Sequence, residues 1–383
     1  MFLKKIIKNL PFKPLEQIAQ EDLGGRRAGV CVIRYGAIGD MVMMSSILPL
    51  LKKKWGRVTV NTVPSGYEIV KTDPNIDEFL LQEHGQIPIH QINDYWQKLE
   101  ECFDKVINLS ESVESNLILQ PERVVNSNGV IIKAPAHEDY FKSQEEVHAK
   151  YNRNYIEETH KIAEVEFIHQ PKIHLTRAEK RWAKRERDKI KTPYVVMVVL
   201  SGSSTHKAYP YTDSLFARVL MERDDVSFVT VGEPLCQLLE AGWENEPKMI
   251  LRSGVWSIRQ TLAFLDQVDA VIGPETGVMN AAAMLPCRKI IYLSHSSIEN
   301  LTIHWKNTRA ISANPECYPC HRMHNGKKHC NIDVDTGAAK CATFDPKYII
   351  EDLNGNVFNS VPRNGKGSGH PRVWTNDSSR PNW

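Results

Sequence analysis

The chain has 383 residues, of which 42% are hydrophobic and 25% charged; 48 Lys and Arg stand against 46 Asp and Glu, for a formal net charge of +2. That length and mix predict a globular protein of two domains rather than a fibrous, collagenous or disordered chain. The near-balance of charge leaves no polybasic footprint for nucleic acid, and no apolar run is long enough to cross a bilayer.

The first ten residues interleave Lys4, Lys5 and Lys8 with Phe2, Leu3, Ile6, Ile7 and Leu10. They lack the unbroken apolar stretch and small-residue cleavage site of an export signal. As a helix, this segment either docks on the first domain or lies on an anionic membrane surface. Gly29 to Tyr35 reads as a strand buried on both faces. Gly36 to Gly39 reads as a tight turn, Asp40 follows it, and Met41 to Lys54 has helical character. Strand, glycine turn and helix commonly open a nucleotide- or sugar-binding α/β domain, although this is not the G-x-G-x-x-G fingerprint. Strands at 57–63, 77–81 and 105–109 alternate with helices at 65–72 and 94–103, the rhythm of a parallel sheet covered by helices. From Glu111 to Gln170 the chain is polar, with scattered histidines; it reads as acceptor-side loops plus a helix near Tyr155 to Val165.

A charged helix at 177–191 reads as a solvated element near the domain junction. A second α/β series then begins. It has strands at 194–200, 226–231, 249–251, 270–272 and 289–293, and helices at 214–222 and 256–265, with Ser257 as the cap of the latter. Gly273 and Pro274 read as breaking the strand before them. Thr276 and Gly277 open a further helix in Gly277-Val-Met-Asn-Ala-Ala-Ala283. After Asn314 the composition turns cysteine-rich, Pro346 to Leu353 reads as a last helix, and from Gly355 the Gly, Pro, Asn and Ser content reads as a loose tail. The domains are thus placed at 1–175 and 176–354, with a cysteine-rich segment at 317–341 and a tail at 355–383.

Five groups of residues carry candidate chemistry. A helix that starts straight after a buried strand turns its unpaired N–H groups toward the strand's carboxyl edge, and Thr276 with Gly277 lets a phosphate come close; the same residues also make an ordinary Thr N-cap. Lys207, preceded by Ser201, Ser203, Ser204 and Thr205, can neutralise a departing diphosphate, or can be a surface lysine in a polar turn. Asp40 can take a proton from an acceptor hydroxyl, or can cap its helix. Glu275 suits a sugar hydroxyl beside the phosphate, or is a satisfied loop glutamate. The thiols follow C-x2-C-x9-C-x10-C at Cys317, Cys320, Cys330 and Cys341. That spacing fits a structural zinc site, two disulfides or four free thiols, and without an export signal disulfides rank last.

Three stretches, in this order, resemble glycosyltransferase family 9, the ADP-heptose:lipopolysaccharide heptosyltransferases and their relatives. They are Val32-Ile-Arg-Tyr-Gly-Ala-Ile-Gly-Asp-Met-Val-Met-Met-Ser-Ser-Ile-Leu-Pro49, Ser203-Ser-Thr-His-Lys-Ala-Tyr-Pro210 and Gly273-Pro-Glu-Thr-Gly-Val-Met-Asn-Ala-Ala-Ala283. The cysteine segment is also similar to one near the end of some relatives. The resemblance implies a GT-B architecture, two Rossmann-like domains facing across a cleft, with the final helix returning to the first domain as one option. It implies an inverting, metal-independent glycosyltransferase that moves heptose or a related sugar from a nucleotide-diphosphate sugar to a hydroxyl of lipopolysaccharide or another surface glycan. Asp40 is then the general base, with Gly36 and Gly39 in the acceptor-side loop. Ser203, Ser204, Lys207, Glu275, Thr276, Gly277 and Asn280 hold the donor. No cofactor serves catalysis. The protein is then cytoplasmic, with a peripheral place at the inner face of the membrane as an alternative. Glu275 stands where the family usually has Asp, and Asn280 where His is common, so the sugar and the base can differ from ADP-heptose. Two rivals remain: the same chemistry on a modified DNA base or a protein, and a nucleotide-sugar binder without catalysis.

Overall fold

The computed structural model describes residues 6–9, 26–82, 87, 91–110, 112–121, 123–127, 130–134, 137–202, 204, 207–323 and 330–363. The chain divides into two compact units, Met1–His174 and Leu175–Trp383. Each is built on its own parallel sheet.

The first unit carries β1 (Ile6–Asn9), β2 (Arg27–Ile33), β3 (Val58–Thr62), β4 (Glu78–Leu81) and β5 (Phe103–Asn108) in the order β1-β4-β3-β2-β5. Val30 to Ile33 is fully buried, as a strand covered on both faces must be. The segment read as an N-terminal helix instead supplies β1, an edge strand parallel to β4 in which Ile6 pairs with Phe79. Short apolar runs do not distinguish helix from strand by period alone, and the β-branched Ile6-Ile7 pair favours the pleated form. The helix predicted over 41–54 is two helices, α1 (Ile38–Met44) and α2 (Leu48–Trp55). Pro49 sits in the first turn of α2, where its missing N–H costs nothing. Gly39 therefore lies inside α1 rather than in a turn.

The polar region from Glu111 to Gln170 is more regular than its composition suggests. It forms α3 (Ser112–Leu117), the antiparallel hairpin of β6 (Arg123–Ser127) and β7 (Val130–Ala134), α4 (Gln144–Tyr151) and α5 (Tyr155–Ile162). Ser143 and Glu146 form a capping box for α4, and the Asn154 side chain caps α5.

The second unit holds β8 (Tyr194–Val199), β9 (Val226–Val231), β10 (Met249–Leu251), β11 (Ala270–Pro274), β12 (Arg288–Tyr292) and β13 (Thr308–Ile311) in the order β10-β9-β8-β11-β12-β13, every pair parallel. Gly273 and Pro274 do not break β11; they continue it and pair with Ile291 and Tyr292. A side chain at Gly273 would meet the Cβ of Val199 at 2.7 Å, so glycine is what lets β11 lie this close to β8. The last helix, Lys347–Leu353, packs Ile349 and Leu353 into this unit's core with Tyr194, Phe216 and Phe228. The start of the supposed tail also packs here. Val357 and Phe358 are buried, and the Tyr194 hydroxyl donates to the carbonyls of Phe358 and Ser360 at 2.8 and 2.6 Å. The tail beyond 363 lies outside the described residues.

Candidate active site

In an open parallel sheet, ligands bind at the carboxyl edge where the strand order reverses, because the loops leaving the two neighbouring strands diverge there. In the second unit the chain runs β8, β9, β10 in one direction and β11, β12, β13 in the other. The reversal falls between β8 and β11, which pair Val196 with Ala270 and Val198 with Ile272. The loop after β8 carries Ser204 and Lys207, and the residues after β11 are Glu275, Thr276 and Gly277. Sheet order thus brings together two of the stretches singled out in the sequence, 68 residues apart.

Their junction is a direct bond. The Lys207 Nζ donates to the main-chain carbonyl of Glu275 at 2.8 Å. Thr276 is the N-cap of the helix Gly277–Ala282, its hydroxyl accepting from the Met279 N–H at 3.4 Å. The lysine head therefore sits at the Glu275–Thr276 peptide, where the chain enters this helix. A residue not singled out by the sequence makes this possible. A Cβ at Gly202 would lie 2.7 Å from Cδ of Lys207 and 3.1 Å from Cγ2 of Thr276. Ser204, buried, accepts from the Lys207 N–H at 3.0 Å and closes the turn that carries the lysine. Asn280 is half-buried in the helix, and its N–H donates to Thr276 at 3.0 Å. Ser203 lies outside the described residues.

The Glu275 carboxylate is buried and turned toward the segment after β12. Its Oε1 accepts from the N–H groups of Ser294 at 2.8 Å and Ser296 at 3.1 Å. Its Oε2 accepts from the Ser294 hydroxyl at 3.2 Å and lies 2.6 Å from Nδ1 of His295. Burial alone would raise its pKa; the charge and hydrogen bond of His295, with Lys207 and the Ser294 amide, outweigh it and hold the carboxyl at about 2. So Glu275 uses its side chain to fix the 294–296 segment and its carbonyl to fix Lys207. Of these partners only Lys207 carries a sequence signal; Ser294, His295 and Ser296 reach Glu275 through the fold.

In the first unit, β2, β3 and β4 run one way and β5 lies on the other side of β2, so the reversal falls between β2 and β5. Asp40 stands here, on the third residue of α1. It reaches back to accept the Ala37 N–H on Oδ2 at 2.7 Å, which satisfies the amide of the residue before the helix. Gly36 is needed beneath it, since a Cβ there would meet Oδ2 at 2.4 Å. Arg34, buried, sets Nη2 3.0 Å from Oδ1 of Asp40 and donates from Nη1 to the carbonyl of Leu109, just after β5, at 2.5 Å.

In the cysteine-rich segment, Cys317 and Cys330 are half-buried, Cys320 and Cys341 buried, and all four are free thiols. Burial, reinforced by its neighbours Cys317 and Cys330, pushes the Cys320 thiol up to about 12. Cys341 is raised further by burial, with Cys330, Cys320 and Cys317 all contributing. The four therefore share one neighbourhood. Among the described residues no group of three or more His, Cys, Asp or Glu side chains is placed to hold a metal ion. Among the same residues no helix is long and apolar enough to cross a membrane.

Comparison with known proteins adds an independent line. The sequence matches no curated protein. Among solved structures, the chain is similar to a glycosyl transferase family 9 protein from Veillonella parvula, at 13% identity over 86% of this chain and 97% of that one, with a TM-score of 0.59. It is similar to the E. coli ADP-heptose LPS heptosyltransferase II, at 14% identity over 85% and 97%, with a TM-score of 0.57. It is also similar to the dodecameric, iron-containing E. coli heptosyltransferase TibC in complex with ADP-D-beta-D-heptose, at 11% identity over 86% and 77%, with a TM-score of 0.53. At such identities these likenesses speak for the fold alone, an α/β fold of the GT-B class with a parallel sheet in each unit. The sequence pattern of Glycosyltransferase family 9 (heptosyltransferase) matches residues 92–330, more than half of the chain. The chain therefore belongs to glycosyltransferase family 9, the heptosyltransferase family, and is a glycosyltransferase.

Proposed function

We propose that the protein transfers heptose or a related sugar from a nucleoside-diphosphate donor to a hydroxyl of lipopolysaccharide or another surface glycan, with inversion and without a catalytic metal. The observation that carries this reading is the Lys207–Glu275 carbonyl bond, which sets a cation where the chain enters the helix capped by Thr276 and opened by Gly277, at the strand-order reversal of the second unit. A diphosphate seated there would meet one positive charge and fixed N–H donors, which stabilise the charge that builds as it leaves. The acceptor oxygen attacks the anomeric carbon and the carbon–oxygen bond to the diphosphate breaks. The hydroxyl proton passes to the Asp40 carboxylate. The donor class is further supported by TibC, a structural relative described in complex with ADP-heptose.

The thiol set supports a second, structural element of the proposal. The four side chains are not placed as a ligand set in this structure, so this reading rests on the C-x2-C-x9-C-x10-C spacing, which suits a tetrahedral zinc or iron once the thiols draw together. TibC is described as iron-containing. In this proposal Cys317, Cys320, Cys330 and Cys341 hold the ion, which clips the loop and takes no part in transfer.

The test of the main reading measures release of ADP from ADP-heptose with heptose-free lipopolysaccharide as acceptor. The parent protein should turn over, and Asp40→Ala should lose transfer by about 100-fold or more while still binding ADP. Near-parental transfer by the variant would remove the base assignment.

A further inference from the structure

The residue that meets Asp40 is tied to three different strands or their ends. Arg34 follows β2; its N–H donates to the carbonyl of Asn61 in β3 at 2.9 Å, and its Nη1 donates to the carbonyl of Leu109 after β5 at 2.5 Å. The next residue is held as firmly. The Tyr35 N–H donates to the Ser110 hydroxyl at 2.8 Å, and its own hydroxyl donates to the Asn61 side chain. The backbone that carries Arg34 is thus tied to both neighbouring strands, and the guanidinium spans the reversal point between β2 and β5. Its remaining edge meets Oδ1 of Asp40 at 3.0 Å, while Oδ2 is taken by the Ala37 N–H at 2.7 Å. The Arg34 side chain is only 4% exposed, against 22% for Asp40, so the carboxylate faces outward and the arginine stands behind it.

We propose that Arg34 is the positioning residue of the proton acceptor: by bridging the Leu109 carbonyl and Oδ1, it holds the Asp40 carboxylate at one orientation toward the acceptor hydroxyl. This rests on the reading of Asp40 as the base. A planar guanidinium can satisfy a carbonyl and a carboxylate at once with a fixed angle between them, which a single ammonium cannot. A carboxylate offers about four acceptor directions, so pairing with arginine is compatible with receiving a proton. A base displaced by an ångström loses most of its advantage, since transfer depends on reach more than on affinity.

The experiment is a double-mutant cycle on the full chain, with ADP-heptose and heptose-free lipopolysaccharide as substrates and ADP release as readout. Arg34→Met should lower kcat by about 30- to 100-fold with the KM for ADP-heptose changed less than about threefold. Arg34→Lys, which keeps the charge and loses the fork, should recover part of that loss. In an Asp40→Asn background, Arg34→Met should cost nothing further, because the group it positions is gone. A residual rate in Asp40→Asn that falls again on adding Arg34→Met would mean that Arg34 only supports the fold, and would overturn the proposal. If Asp40→Asn itself transfers at near-parental rate, the base assignment fails and Arg34 falls with it. If Asp40→Asn is inactive while Arg34→Met keeps its kcat, only the present inference fails. Should Arg34→Met not fold, Arg34→Lys decides: a lowered kcat at unchanged KM supports the role, and a parental kcat refutes it.

Discussion

Replacing Glu275 by Gln tests whether the 294–296 segment is held by a buried charge. The carboxyl sits at about 2 in the folded protein against a reference of 4.5. Each unit corresponds to 1.36 kcal/mol of differential interaction, so the ionised form contributes at most about 3 kcal/mol to stability near neutrality. Because the folded-state pKa is depressed, that contribution is complete above about pH 5 and is lost as pH falls toward 2. Glu275→Gln should therefore lower stability by about 2–3 kcal/mol at pH 7, a fall of roughly 4–12 °C in Tm for a unit of this size. The gap between parent and variant should shrink by about half near pH 3. Thermal unfolding at pH 7, 5 and 3 reads both quantities. The reasoning is refuted by a variant within about 1 kcal/mol of the parent at pH 7, or by a deficit that does not change with pH; either would mean that the four bonds to Glu275 need its shape rather than its charge.

Three further outcomes follow from the same geometry. Lys207→Ala removes a charge-assisted contact of about 1.5–3 kcal/mol, so ADP affinity by calorimetry should fall by about 10- to 100-fold; an unchanged affinity would remove the lysine from the donor site. Gly202→Val forces the Lys207 stem off Thr276, where a Cβ would stand 2.7 Å from Cδ, and should weaken ADP binding severalfold with little change in Tm. If the clustered thiols hold a structural metal, elemental analysis of the protein purified without chelator should find about one zinc or iron per chain. Cys341→Ser should then lose the metal and lower Tm, and a metal-free parent of equal stability would end that proposal.

The sequence by itself determined the class of the fold and the ends of several elements. Alternating buried strands and amphipathic helices imply parallel sheets because side-chain periods of two and 3.6 are local properties of the chain. Ser257 and Thr276 were legible as caps for the same reason: each bonds a backbone N–H three residues ahead, at Gln260 and Met279. The family motifs were legible too, since they are short and contiguous. What only the tertiary structure decided depends on partners far along the chain. Glu275 suggested a sugar contact, yet its carboxylate is spent on Ser294, His295 and Ser296, which reach it only because β12 lies beside β11. Asp40 looked like a cap or a base, but Arg34 became its partner only when β5 placed the Leu109 carbonyl next to β2. Ile6 to Asn9 became a strand because the edge of β4 was open to pair, and Tyr194 drew Phe358 and Ser360 out of an apparent tail. Sheet order is a global choice, and it assigns to each local motif the neighbours with which it works.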